Sequence, residues 1–239
     1  MTTVLITGAN RGLGYEMAKI YSQRAGHTVI ACCRSPGSAA ALHALQAQTQ
    51  TVQIEALDVA DISAIQALAT RLEGTTVDVL ISNAGIFGKN PPATTGFQEQ
   101  MFGNADFEAD WIMPFRVNVL AAMALAEAFA GHVAASTLKK FIVISSEVAS
   151  IAQAKGHMFG YSASKAAANM TARNLAVALK PKGIVVNPIH PGYAKTDMSG
   201  PQAAIEPKEG ARGVIARIDE MAPETSGDFL SYDGREMEW

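Results

Sequence analysis

The stretch Val4-Leu5-Ile6-Thr7-Gly8-Ala9-Asn10-Arg11-Gly12-Leu13-Gly14 decides the fold, because it joins a run of buried-strand residues to a helix through a glycine-rich turn. Glycines permit the tight turn and let the backbone approach a pyrophosphate, whose charge then sits at the helix N-terminus. The spacing is Gly-x-x-x-Gly-x-Gly rather than the commoner Gly-x-Gly-x-x-Gly, so its position between strand and helix carries the weight.

Outward from that turn, short β-rich runs alternate with longer Ala- and Leu-rich segments. Strands are predicted at residues 3–7, 28–33, 52–57, 77–82, 141–145, 184–189 and 228–232. Each is almost continuous in Val, Ile and Leu, the pattern of strands covered on both faces. Helices are predicted at 13–24, 38–46, 62–72, 109–133, 161–179 and 209–221. Such alternation implies right-handed crossovers. The expected architecture is α/β, a Rossmann-type doubly wound parallel sheet of about seven strands with helices on both faces. Residues 1–239 are read as a single domain, cofactor-binding in its N-terminal part and catalytic and substrate-binding in its C-terminal part. Two stretches break the rhythm: 90–107, read as a surface loop, and 192–208, which leaves the sixth strand and is a plausible cover for a substrate.

Composition narrows the function. With 49% hydrophobic residues and a net charge of −3, the chain has no electrostatic footprint for nucleic acid or an anionic membrane. No apolar run approaches the roughly 20 residues of a spanning helix, and the apolar start lacks a basic leader region. A cytoplasmic location is therefore expected. The only cysteines, Cys32 and Cys33, are neighbours. A disulfide between them would be strained and two thiols do not make a zinc site, so they are read as buried strand residues and no metal site is read.

About twenty residues beyond Gly14 the second strand ends in Cys33-Arg34-Ser35, where NAD-binding folds place a carboxylate for the ribose hydroxyls. A guanidinium there suits a 2′-phosphate. Arg11 adds a second cation, so NADP(H) is the preferred cofactor, with NAD(H) permitted. Asp58-Val59 and Asn83-Ala84-Gly85 follow the third and fourth strands, where they would line the cofactor cleft. Asp58 is also a possible helix N-cap, although Asp61 suits that role better. The strongest pattern is Tyr161-Ser162-Ala163-Ser164-Lys165, in which residues four apart share one helical face. A free phenol has a pKa of about 10 and is a poor acid near neutrality; a lysine cation beside it favours the phenolate. Ser145-Ser146 ends the fifth strand and offers a hydroxyl to a substrate oxygen. Strand alternation lets only one of the two face it.

Taken in order, the Thr7–Gly14 turn, Asn83-Ala84-Gly85, Asn118, Ser146, Tyr161 with Lys165, and Pro191-Gly192 resemble the short-chain dehydrogenase/reductase set over nearly the whole chain. The ending Tyr232-Asp233-Gly234-Arg235 with Trp239 is similar to the carbonyl-reductase-like and C-factor/sniffer-like branch. The resemblance implies that Tyr161 is the general acid/base, that Lys165 lowers its pKa and binds the nicotinamide ribose, and that Ser146 orients the carbonyl. It implies that Asn118 kinks its helix and holds a water leading to Lys165. Gly8, Asn10, Arg11, Gly12 and Leu13 would line the cofactor, Asp58 and Val59 flank the adenine, and Asn83, Ala84 and Gly85 border its ribose. Pro191, Gly192, Ala194 and Thr196 would embrace the nicotinamide. The partner implied is a small carbonyl or alcohol substrate. A homodimer or homotetramer is expected, formed through the two long helices at 109–133 and 161–179, which are apolar around much of their circumference.

The interval from Ser146 to Tyr161 is two residues longer than is commonest in the family. The extra residues in Gln153-Ala154-Lys155-Gly156-His157 are expected to bulge at the site's rim, where His157 is read either as a solvated loop residue or as a substrate contact. Met101, Met113, Met158 and Met198 are read either as scattered core and loop residues or as a flexible apolar pocket. Two other functions compete with a reductase. An epimerase or dehydratase usually has a longer tail than the fifty or so residues beyond Ile189. A cofactor-binding signalling or regulatory protein with little catalysis would not need the intact Ser146, Tyr161, Lys165 and Asn118.

Overall fold

The computed structural model describes residues 1–96 and 100–239; positions 97–99, inside the stretch expected to be a loop, lie outside the described residues. Seven strands form one sheet: β1 (Thr2–Thr7), β2 (His27–Cys33), β3 (Val52–Ala56), β4 (Val79–Ser82), β5 (Lys140–Ile144), β6 (Val185–His190) and β7 (Leu230–Ser231). Their order is β3-β2-β1-β4-β5-β6-β7 and every pairing is parallel. Strand direction of winding reverses between β1 and β4, which opens a crevice at the carboxyl ends.

Alternation along each strand feeds two cores. Val4 and Ile6 pack with Met17, Tyr21, Leu42, Val214 and Ile218 on one face. Leu5, between them, packs with Ile65, Leu68, Leu125, Phe129 and Ala172 on the other. The first face is covered by α1 (Gly12–Ser22) and α2 (Ala40–Thr49), the second by α3 (Ile62–Arg71), α4 (Phe107–Ala134) and α5 (Phe159–Leu179). A sixth helix, α6 (Pro207–Glu220), joins the first. Asp61 caps α3 by accepting from the Ser63 and Ala64 amides at 2.9 and 3.2 Å, as its position suggested, while Asp58 accepts from the Ala60 amide at 3.0 Å.

Two expectations are corrected. Helix α4 is long and apolar enough, by length and composition, to cross a membrane; isolated polar residues such as Asn118 interrupt the run without lowering the average enough. Of its most apolar window, 56% is buried inside the protein. The helix is also not uniform: Phe107–Ile112 and Arg116–Leu120 adopt the wider π form on either side of Pro114. Proline has no amide hydrogen for the carbonyl four residues back, which disturbs the ladder locally. Finally, the stretch at 90–107 holds more than surface loop, since Pro92–Thr95 makes a helical turn and Gln100 is completely buried.

Candidate active site

Thr7, completely buried at the end of β1, organises the glycine turn. Its Oγ1 accepts from the Asn83 and Ala84 amides, both at 3.0 Å. Asn83 returns the contact by donating from Nδ2 to the Thr7 and Gly8 carbonyls at 2.8 and 3.2 Å. Gly8 has φ +65°, and a Cβ there would lie 3.0 Å from the Ala84 Cα. A Cβ on Gly14 would collide with the Gly8 carbonyl. The turn therefore closes only with hydrogen at these positions and leaves its backbone against the crevice.

That crevice is a cavity of about 840 Å³. Gly8, Asn10, Arg11, Gly12 and Leu13 line it after β1, Arg34 after β2, Asp58 and Val59 after β3, and Asn83, Ala84 and Gly85 after β4. Ser146, Tyr161, Lys165, Pro191, Gly192, Ala194 and Thr196 complete the set. Asn118 stands apart: it is buried behind the wall, in the second π stretch of α4. Its Oδ1 accepts from the Ile86 amide, and its Nδ2 donates to the Ile86 carbonyl and the Ser164 hydroxyl, each at 2.9 Å. A Cβ on Gly85 would lie 3.3 Å from Asn118 Oδ1 and 3.5 Å from Lys165 Nζ, so the glycine admits both groups to one spot.

The two serines at the end of β5 are distinguished by their partners. Ser145 donates into the core, to Asn169 Oδ1 at 2.5 Å. The Ser146 hydroxyl instead acts on the Tyr161 phenol, which it pulls toward the phenolate. The phenol also meets the Phe87 ring, with centroids 5.0 Å apart. Desolvation pushes the Tyr161 phenol up to about 12, against the pull of the Ser146 hydroxyl. Burial likewise draws Lys165 down to about 8. Its Nζ donates to the Ile144 carbonyl at 2.8 Å and lies 5.8 Å from the Tyr161 ring centroid. Burial thus hinders the phenolate and the lysine cation alike.

Arg11 departs from expectation, and His157 is not the fully solvated residue that one of its readings supposed. Arg11 pairs with Asp197 at 2.8 Å, so its guanidinium reaches across to the segment after β6 rather than to Arg34. His157 is half-buried and lines the cavity with Lys155, both carried in by the bulge before α5. Of the four methionines, Met158 and Met198 line the cavity, whereas Met101 is partly exposed. Sequence reasoning passed over Ser35 and Ser38 beside Arg34, Phe87 against Tyr161, and His190. The last is buried in β6, and its Nδ1 accepts the Glu147 amide at 3.0 Å, holding the peptide that follows Ser146. Burial lowers its pKa, opposed by Glu147 and Asp233, in keeping with a neutral acceptor. The Pro191-Gly192 motif beside it hid that signal.

The family model for short chain dehydrogenases matches residues 2–206. The chain belongs to the short-chain dehydrogenase/reductase family. Among relatives of this short-chain dehydrogenase/reductase, the C-signal protein of Myxococcus xanthus is 34% identical over 176 residues, 73% of this chain and all of that one. An NADPH-bound carbonyl reductase from chicken fatty liver superposes with a TM-score of 0.88 at 29% identity, covering 100% of this chain and 99% of that one. The carbonyl reductase Sniffer of D. melanogaster gives 0.86 at 26% identity, with both chains covered completely.

Proposed function

We propose that this short-chain dehydrogenase/reductase is an NADP(H)-dependent carbonyl reductase in which Tyr161 is the proton donor. The observation that carries the proposal is that Ser146, Tyr161 and Lys165 line the same cavity as the glycine turn. The turn fits a dinucleotide: Gly8 and Gly14 leave no room for side chains, and the N-terminus of α1 faces the same cavity. Arg34, with Ser35 and Ser38 beside it, suits a 2′-phosphate. The bound nicotinamide supplies the hydride equivalent for the substrate carbon.

The chain's own residues do the rest. Ser146 donates a hydrogen bond to the carbonyl oxygen and holds it beside Tyr161. As the carbon accepts hydride, the carbonyl π pair moves to oxygen, and the Tyr161 phenol gives that oxygen its proton. Burial keeps the phenol protonated before the substrate reacts, so the proton to be given is in place, and the cation behind it must make that proton easier to give. Lys165 stands behind it to stabilise the phenolate until solvent restores the proton. Phe87, Met158 and Met198 give the substrate end an apolar wall.

The test is a panel of ketones, aldehydes and quinones, followed by loss of NADPH absorbance for wild type and Tyr161→Phe. The variant should lose at least about a hundredfold in kcat, the usual worth of a positioned acid, while its NADPH dissociation constant changes little, because the proton moves only in the reaction. Retained turnover in Tyr161→Phe, or none in wild type, would refute the proposal; the second result would favour a cofactor-binding protein without catalysis.

A further inference from the structure

We infer that Gln100 is the positioning residue for Tyr161. The inference rests on the proton-donor role proposed above. Helix α5 begins at Phe159, so the amides of its first turn have no partner within the helix. One residue from outside the helix supplies two of them. The Gln100 backbone carbonyl accepts from the Phe159 amide at 3.1 Å. The Gln100 Oε1 accepts from the amide of Tyr161 itself at 2.8 Å.

The other end of the same side chain is also engaged. Gln100 Nε2 donates to the Phe87 carbonyl at 2.7 Å and faces Asp110 Oδ1 at 3.5 Å. Asp110 is buried in turn and accepts the Lys89 and Asp106 amides, each at 2.9 Å. Phe87 carries the ring that packs on the Tyr161 phenol. Gln100 therefore holds Tyr161 twice: directly through its peptide and indirectly through the ring against its side chain.

The residue's own state agrees with a specific role. It is completely buried, with both polar ends bonded, in a stretch whose composition reads as loop. Its φ of +56° lies in the left-handed region, unfavourable for a side chain bearing Cβ and tolerated where surroundings over-determine it. A methionine would fill the same volume without either hydrogen bond. Proton donation needs hydrogen-bond distance, and an ångström of misplacement is enough to slow chemistry severely.

The experiment compares Gln100→Met, Gln100→Glu and Tyr161→Phe with wild type. Gln100→Met should lower kcat about tenfold and leave the NADPH dissociation constant within about twofold. It should also speed deuterium exchange in the peptide that starts α5, a readout independent of turnover. Gln100→Glu keeps an oxygen for the Tyr161 amide but, when ionised, turns a second oxygen toward the Phe87 carbonyl and the Asp110 carboxylate. Protonation of the new carboxyl restores a donor there, so its kcat should climb toward wild type as pH falls, and that of Gln100→Met should not. Unchanged kcat in Gln100→Met, or parallel losses of turnover and NADPH affinity, would overturn the inference. If Tyr161→Phe also keeps its turnover, the proton-donor role itself has failed.

Discussion

Arg34 and Lys165 are single residues whose charge decides a measurable property. Arg34 stands at the end of β2, on the cavity wall beside Ser35 and Ser38. NADPH and NADH differ only by the 2′-phosphate, and a charge-assisted bond to it is worth roughly 1.5–3 kcal/mol, about ten- to a hundredfold in affinity. Arg34→Asp should therefore reverse a preference for NADPH, read as kcat/KM for both cofactors; an unchanged ratio would refute that role. Arg11→Ala should matter less, because its guanidinium is already paired with Asp197. Lys165 predicts a pH dependence of stability. Burial draws it from 10.5 to about 8, so between those values the folded protein has released a proton that the unfolded chain still holds. Stability rises with pH wherever the unfolded state binds more protons, by at most roughly 1.4 kcal/mol per pH unit for one group. Urea melts should thus show wild type gaining on Lys165→Met as pH goes from 8 to 10, and a constant gap would contradict the assignment.

At the scale of elements, the crossing of α4 and α5 sets where the tyrosine sits. Pro114 has no amide to offer the Asp110 carbonyl four residues back, and that carbonyl packs against Gly160, the residue before Tyr161. A Cβ on Gly160 would collide with it, and backbone cannot yield as a flexible side chain does. Gly160→Ala should force the helices apart, at about 1–3 kcal/mol for overpacking, a fall of roughly 2–12 °C in Tm for a chain of this size. It should lower kcat as well, since Tyr161 moves with the helix. A variant that melts and turns over like wild type would show that the crossing has slack.

For the whole molecule, the open question is assembly. Leu120 and Met123 on α4, and Met170 and Val177 on α5, remain exposed although both helices bury their other faces in the core. Large exposed apolar side chains on these two helices would suit an association surface. A homodimer or homotetramer is expected, related by symmetry through these helices. Sedimentation at micromolar concentration should give more than a monomer, and Leu120→Glu with Met170→Glu should shift the species downward. A monomeric wild type would contradict the expectation.

Most of the architecture was legible in the sequence. Seven strands and six helices lie within a few residues of their predicted places, because each carries its own local signal of apolar run, periodicity or glycine turn. The Tyr161–Lys165 pair and the glycine turn were legible for the same reason: their chemistry depends on spacing along one element. Tertiary structure alone decided the contacts between distant residues. It turned Ser145 into the core and Ser146 to the phenol, and it drew Arg11 to Asp197, 186 positions away. It also set a glutamine from an apparent loop against the amide of Tyr161, 61 positions on. A hydrogen bond between segments that meet only on folding leaves no periodicity, spacing or composition in either one, so only their approach reveals it.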